Sequence, residues 1–170
     1  MVSNTLCAQT VERLFFAYRD FTDEPDARLE ERGLGRAHHR VIHFVSRHPG
    51  LAVHDLLDIL KITKQSLARV LKQLIDDGFI TQAPCPTDRR KRLLYATPSG
   101  RALAESLAEL QTTRIANAYQ SAIDAAGPDA SRAILAFLSG MVRPEDRAAV
   151  DRLIATNTAP AVSTSSQPLT

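Results

Sequence analysis

Residues 61–97 read KITKQSLARVLKQLIDDGFITQAPCPTDRRKRLLYAT. Leu67, Val70, Leu71, Leu74 and Ile75 fall at i, i+3, i+4, i+7 and i+8, the core face of an amphipathic helix. Lys64, Gln65, Ala68, Arg69, Lys72 and Gln73 occupy the opposite face. Thr63 is placed to cap the helix, and Gly78 sits where a left-handed residue ends it. Phe79–Gln82 and Leu93–Ala96 are β-rich runs that can pair across the charged, proline-stiffened loop PCPTDRRK. The stretch holds eight cations (Lys61, Lys64, Arg69, Lys72, Arg89, Arg90, Lys91, Arg92) against Asp76, Asp77 and Asp88, a net +5. The whole chain carries only +2, leaving −3 for the remainder. Positive charge concentrated on one helix and one hairpin is the electrostatic footprint of a surface that meets nucleic acid.

Outward from this stretch the pattern is helical. Val11, Leu14, Phe15 and Tyr18 predict a first helix capped at Asn4 or Thr5 and ending near Pro25. Residues 22–33 read as an acidic connector. A second helix is expected over Gly35–Arg47 and is stopped by Pro49-Gly50. A short extended piece at Leu51–Val53 and a brief helix at His54–Leu60 then lead into the central stretch. Thr97-Pro98 opens a long helix to about Ala126. Two helical pieces flanking Gly140 follow, near Asp129–Ser139 and Pro144–Ala155. The Ser/Thr/Pro/Ala-rich residues 158–170 are expected to be disordered. The predicted fold is therefore mainly α: a winged helix-turn-helix at about 50–97, with a small β-hairpin as the wing. The helices at about 5–25 and 98–156 are too apolar to stand alone and are expected to dimerise, all within one domain spanning 1–157.

The totals narrow the class. At 170 residues with 44% hydrophobic content the chain can bury one core. Cys7 and Cys85 cannot make a disulfide framework, and no run approaches the length of a membrane span. The start MVSNTLCAQTVERL lacks a basic and apolar leader, so a cytoplasmic location is expected. Gly-x-Ser-x-Gly, phosphate-cradling glycine loops and His-Glu-x-x-His are absent, and the chain reads as a non-enzyme.

With these residues in view, the chain resembles the MarR family of bacterial winged-helix regulators over about residues 10–155. The resemblance rests on I62-T63-K64-Q65-S66-L67-A68-R69, on DDGFI, on the D88-R89-R90 wing and on T97-P98-S99-G100-R101, in that order. The stretch from R36-A37-H38-H39-R40 to H48-P49-G50 further resembles an alphaproteobacterial subgroup that includes a regulator of L,D-transpeptidase. The family resemblance implies a homodimer on a pseudo-palindromic DNA site, usually a repressor released by a small molecule or an oxidant. It puts Lys64, Gln65, Ser66 and Arg69 at base edges, where Gln pairs with adenine and Arg with guanine. Lys72 is better placed for phosphate. Arg90 would reach the minor groove with Asp88 holding it, and Arg89, Lys91 and Arg92 would add backbone contacts, one of them turned inward toward an acid.

Other groups have plainer readings. His39 and His43 have the i, i+4 spacing of a zinc pair, but zinc-sensing relatives use the helix after the wing, which has no histidine here. No metal site or cofactor is expected. Cys85 stands beside four cations that could lower its pKa. Cys7 lies about two turns before the position of the reactive cysteine in peroxide-sensing relatives. The expected partners are double-stranded DNA, a second copy of the chain, and a small aromatic or amphipathic effector. The effector would bind in the cleft between the first two helices and the reading head, lined by Phe16, Tyr18, His39, His43 and Phe44. Two alternatives stay open: a winged helix used only for protein–protein contact, and a cysteine-based redox regulator.

Overall fold

The computed structural model describes residues 2–156, so the expectation for the tail at 158–170 falls outside the described residues. The elements are α1 (Asn4–Glu30), α2 (Arg36–Arg47), β1 (Leu51–Ala52), α3 (Val53–Leu60), α4 (Lys64–Asp76), β2 (Ile80–Pro84), β3 (Arg92–Ala96), α5 (Pro98–Ala126), α6 (Ala130–Met141) and α7 (Pro144–Ala155). The chain divides into two compact units, with the boundary after Ala118 inside α5. No helix among the described residues is long and apolar enough to cross a membrane.

In the first unit, α4 lies with Leu67, Val70, Leu71 and Leu74 buried in a core shared with Leu29, Val41, Ile42, Val45, Leu56, Leu94 and Leu107. Its start is fixed as the sequence suggests, since Thr63 Oγ1 accepts the Ser66 N–H at 3.1 Å. Its end is fixed by Gly78 at φ +75, beyond the C-cap Asp77. The sheet has the order β1-β3-β2 and is antiparallel throughout, with Gln82 opposite Leu94 and Pro84 opposite Arg92. β1 thus joins the expected hairpin as a third strand, Leu51 pairing with Leu94.

Thr97 ties three elements together. Its hydroxyl donates to the Gly78 carbonyl at 2.7 Å and accepts the Gly100 N–H at 3.0 Å, while its own N–H donates to the Phe79 carbonyl at 3.0 Å. The start of α5 is thereby pressed onto the chain leaving α4. A Cβ on Gly100 would stand 2.0 Å from the Phe79 carbonyl oxygen.

Two boundaries differ from the sequence reading. α1 does not stop at Pro25 but continues to Glu30, absorbing much of the expected connector. Proline lacks the N–H that would bond the carbonyl four residues back. The turn after it is held instead by tertiary contacts: Leu29 is fully buried, and both Arg36 Nε and Nη2 donate to Asp26 Oδ2, at 3.0 and 2.5 Å. In the second unit, α6 runs through Gly140 rather than stopping before it. A single glycine costs a helix only about 1 kcal/mol. The break falls at Val142 and Arg143, both extended, because a residue before proline is pushed out of the helical region.

Gly100→Ala is expected to lower stability by about 1–3 kcal/mol, because the atom it meets is backbone and cannot swing aside. Leu71→Ala, at a site 4% exposed, should cost about 2–5 kcal/mol. Urea unfolding followed by circular dichroism measures both. An alanine at 100 that left the midpoint unchanged would mean that the α5–Phe79 contact is looser than described.

Candidate nucleic-acid interface

Burying the leucine face of α4 turns Lys64, Gln65, Ser66, Ala68, Arg69 and Lys72 to solvent. The N-cap also orients Ser66, whose Oγ accepts a hydrogen bond from the Thr63 hydroxyl at 2.9 Å. Lys72 is ion-paired with Asp76 one turn on, and that hydrogen bond raises its pKa above the ordinary lysine value. Gln73, grouped with the outer face by its spacing, reaches back instead: its Nε2 donates to the Gly33 carbonyl at 3.1 Å.

The wing is closed by its own backbone. The Cys85 N–H donates to the Lys91 carbonyl at 3.0 Å, and the Lys91 N–H donates to the Asp88 carbonyl at 2.9 Å. Asp88 Oδ1 accepts the Arg90 N–H at 3.0 Å, so the carboxylate fixes the turn at the wing tip through the backbone of Arg90. The guanidinium of Arg90 is left free of it. Arg89, Arg90, Lys91 and Arg92 are exposed, and none of them forms an ion pair among the described residues, so the expected inward-turned partner is not found.

Between α3, α4 and the wing lies a groove of about 660 Å³. Leu57, Leu71 and Ile75 contribute apolar floor, and Lys64 and Lys72 stand on one side of it. Arg90, Lys91 and Arg92 stand on the other. Five of the ten expected contact residues therefore surround one depression. Gln65, Ser66, Arg69, Asp88 and Arg89 do not line it. His54 and Gln82 do, and sequence reasoning passed over both. His54 opens a short helix, and Gln82 is one of the exposed residues of a β-strand; neither carries a charge that stands out in a linear reading.

The residues expected to line an effector cleft lie on α1 (Phe16, Tyr18) and α2 (His39, His43, Phe44). Phe16 is 59% exposed, with the Arg19 guanidinium over its ring at 5.1 Å. Tyr18 lines a separate groove of about 400 Å³ with Leu14, Phe21, Arg114 and Ile115, and Arg36 lies 5.4 Å over its ring. Phe44 meets His43 edge-on at 5.2 Å and stacks on His48 at 6.4 Å. His39 is buried, and burial lowers its pKa against the opposing pull of Asp26 and a hydrogen bond with Gln111. His43 is pushed down to about 4, first by burial and then by Arg47, His39 and His48.

The Cys85 thiol is shifted below its ordinary value, though not by the wing cations. The cause is hydrogen bonding, first to the Thr87 side chain, whose Oγ1 lies 3.2 Å from Sγ, and then to the Thr87 and Asp88 backbone. The Asp88 charge works against it.

A helix-turn-helix whose second helix and hairpin wing place cations around one groove defines a winged-helix DNA-binding regulator. The chain belongs to the MarR family. The family model, described as MarR family, matches residues 32–91. Across the longer span, the chain is 45% identical over 137 residues to the HTH-type transcriptional regulator PetP of Rhodobacter capsulatus, covering 81% of this chain and 80% of PetP. Among solved structures, the MarR protein of Peptoclostridium difficile superposes with a TM-score of 0.65 at 17% identity, covering 91% of this chain and 96% of that one. The transcriptional repressor CouR bound to a 23-mer DNA duplex gives 0.62 at 22%, covering 84% and 99%. The chain is thus a DNA-binding transcriptional regulator and not an enzyme.

The histidines set a pH dependence. Unfolded imidazoles titrate near ~6.5, whereas His39, His43 and His48 are all depressed in the fold. Below that pH the unfolded chain binds protons that the native chain refuses, so stability falls as pH drops from 6.5 toward 4. The melting temperature should be lower at pH 5 than at pH 7.5, and His43→Gln should flatten the difference. Parallel profiles for the two proteins would rule out His43 as a source.

Proposed function

We propose that the protein acts in the cytoplasm as a homodimeric repressor, setting two α4 helices into successive major grooves of a pseudo-palindromic operator. The observation that carries this reading is the groove where Lys64 and Lys72 of α4 face Arg90, Lys91 and Arg92 of the wing. Lys64, Gln65, Ser66 and Arg69 occupy the leading turns of α4 and meet base edges. Lys72, Arg89, Lys91 and Arg92 meet phosphates, Arg90 enters the minor groove, and Asp88 keeps the wing tip in shape. The similarly folded CouR, a repressor solved on DNA, supports this geometry.

The outer helices form the dimerisation part, at about 5–25 and 98–156, around a reading head at about 50–97. Both regions carry large apolar residues that the chain leaves exposed. On α1 these residues include Leu6, Val11 and Phe15, the last 72% exposed, and on α6 they include Leu135, Phe137, Leu138 and Met141. A small aromatic or amphipathic effector then weakens DNA binding by favouring a head spacing that misfits the operator. Tyr18, in its groove between α1 and α5, and His39 and His43 on α2 are the contacts favoured for it, with Phe16 and Phe44 at the margins.

A mobility shift on the DNA upstream of the protein's own gene, titrated with salt and nonspecific competitor, tests the reading. A discrete complex should survive competitor and weaken steeply with salt, since each neutralised phosphate releases counterions. Arg90→Ala should reduce operator affinity by about ten- to a hundredfold without altering the melting temperature. Unchanged affinity would remove Arg90 from the interface. A complex that is absent, or salt-insensitive, would favour a protein-binding winged helix.

A further inference from the structure

The leucine face of α4 sets how deep the helix lies, but apolar contact is non-directional and leaves its pitch and axial position loosely specified. Directional hydrogen bonds fix those. Two reach α4 and its leading turn from the α1–α2 part of the fold. Arg40 on α2 sends Nη2 to the Leu60 carbonyl at 3.1 Å. At the other end of α4, Gln73 Nε2 donates to the carbonyl of Gly33, in the corner between α1 and α2, at 3.1 Å.

Each bond lands where backbone is under demand. Leu60 is the last residue of α3, in the turn whose carbonyls have no partner within the helix, and it is 3% exposed. The guanidinium supplies a donor there and a positive charge at the negative end of the α3 dipole. The next residue, Lys61, is the one non-glycine at positive φ among the described residues, at +51. An L-residue enters that region against its steric preference, so the turn needs an outside hold. Only Ile62 separates it from Thr63, the cap of α4. Gly33 is likewise left-handed, at φ +66, in a corner closed by Gly33 N–H to Glu30 O at 3.0 Å and Leu34 N–H to Leu29 O at 3.0 Å.

We infer that Arg40 and Gln73 are positioning residues that fix the pitch of the reading helix against α2 and the α1–α2 corner. Arg36, one turn before Arg40 on α2, is bonded to Asp26 of α1 and lies over Tyr18. A displacement of α1 is thus passed through Arg36, then Arg40 and the corner, to both ends of α4. The inference rests on the reading that α4 meets DNA, although Arg40 and Gln73 have no assigned DNA contact.

The experiment compares the full-length wild type with Arg40→Met, Arg40→Lys and Gln73→Met. It combines amide hydrogen exchange without DNA with titrations of operator and random duplexes across salt. Arg40→Met should speed exchange over 61–67 about tenfold and weaken operator binding about tenfold. Random-duplex affinity should stay within about twofold, with an unchanged salt slope. Arg40→Lys, which keeps a donor, should recover part of both effects. Gln73→Met, a change at a half-buried position outside the core that should not unfold the chain, should lower the operator-to-random ratio in the same way. Equal losses on both duplexes with a salt slope shallower by about one would make Arg40 a phosphate contact and overturn the inference. Unchanged exchange and affinity would overturn it as well. A wild type that cannot tell operator from random DNA defeats the DNA reading itself, and hydrogen exchange still decides whether Arg40 holds the turn.

Discussion

Everything on the outer face of α4 depends on the burial of Leu67, Val70, Leu71 and Leu74. Rotating α4 by one residue's angle would bring Lys64, Arg69 or Lys72 toward a core made of Leu29, Val41, Ile42, Leu56, Leu94 and Leu107. An unpaired ammonium or guanidinium in such surroundings costs far more than a turn of helix gains. The core therefore does more than stabilise the fold. It sorts the helix into an inner face that cannot change and an outer face free to carry charge, and the second follows from the first without any contact to a partner.

The wing solves a related problem by different means. A hairpin tip of Asp-Arg-Arg-Lys-Arg repels itself and has no core to organise it. Its shape comes from backbone bonding instead, with Asp88 spending its carboxylate on the Arg90 N–H and Cys85 and Lys91 closing the base. This leaves the four cationic side chains exposed and without ion pairs among the described residues. Lys72 differs, because Asp76 already partners it. Its contribution at a phosphate would be offset by the repulsion of that carboxylate, whereas the wing cations carry no such penalty. More of the exposed cations without an ion pair among the described residues lie at the wing than along the helix.

The sequence was most legible where local chemistry and tertiary need coincide. Thr63, Gly78 and the Thr97-Pro98 pair mark boundaries because caps and left-handed residues act within a few positions along the chain. The periodicity of 67–75 located the core face, and the charge run located the wing. Legibility failed where a distant contact overruled a local rule. Pro25 and Gly140 looked like breaks, yet α1 is carried past its proline by Leu29 and by Arg36 on Asp26. Gln73 was placed on the outer face by angle alone, and nothing near it in sequence announces Gly33, forty positions earlier. Arg40 was read only as part of a family-like stretch, since its partner is a main-chain carbonyl, which no residue pattern reveals. Cys85 was expected to be acidified by its cationic neighbours, but linear proximity is not spatial contact, and the nearest donors belong to Thr87 and Asp88.

The histidines of α2 bear on how such a molecule could be regulated. His39 and His43 are held toward the neutral form mainly by burial, and His43 is further discouraged from protonation by Arg47. Neutral imidazoles on this helix keep positive charge away from a frame that already carries Arg36 and Arg40. Arg36 has its carboxylate in Asp26, while Arg40 has only a carbonyl. A cation formed at His39 would stand near Asp26 and share that carboxylate with Arg36, which pairs with it from the same helix. An anion placed beside these groups would repel Asp26 and draw Arg36 away from it. Both act on the same few bonds, and those bonds lead to the turn before α4. Arg36 on Asp26 and Arg40 on the Leu60 carbonyl are the directional contacts that lie between the α2 histidines and the turn before α4.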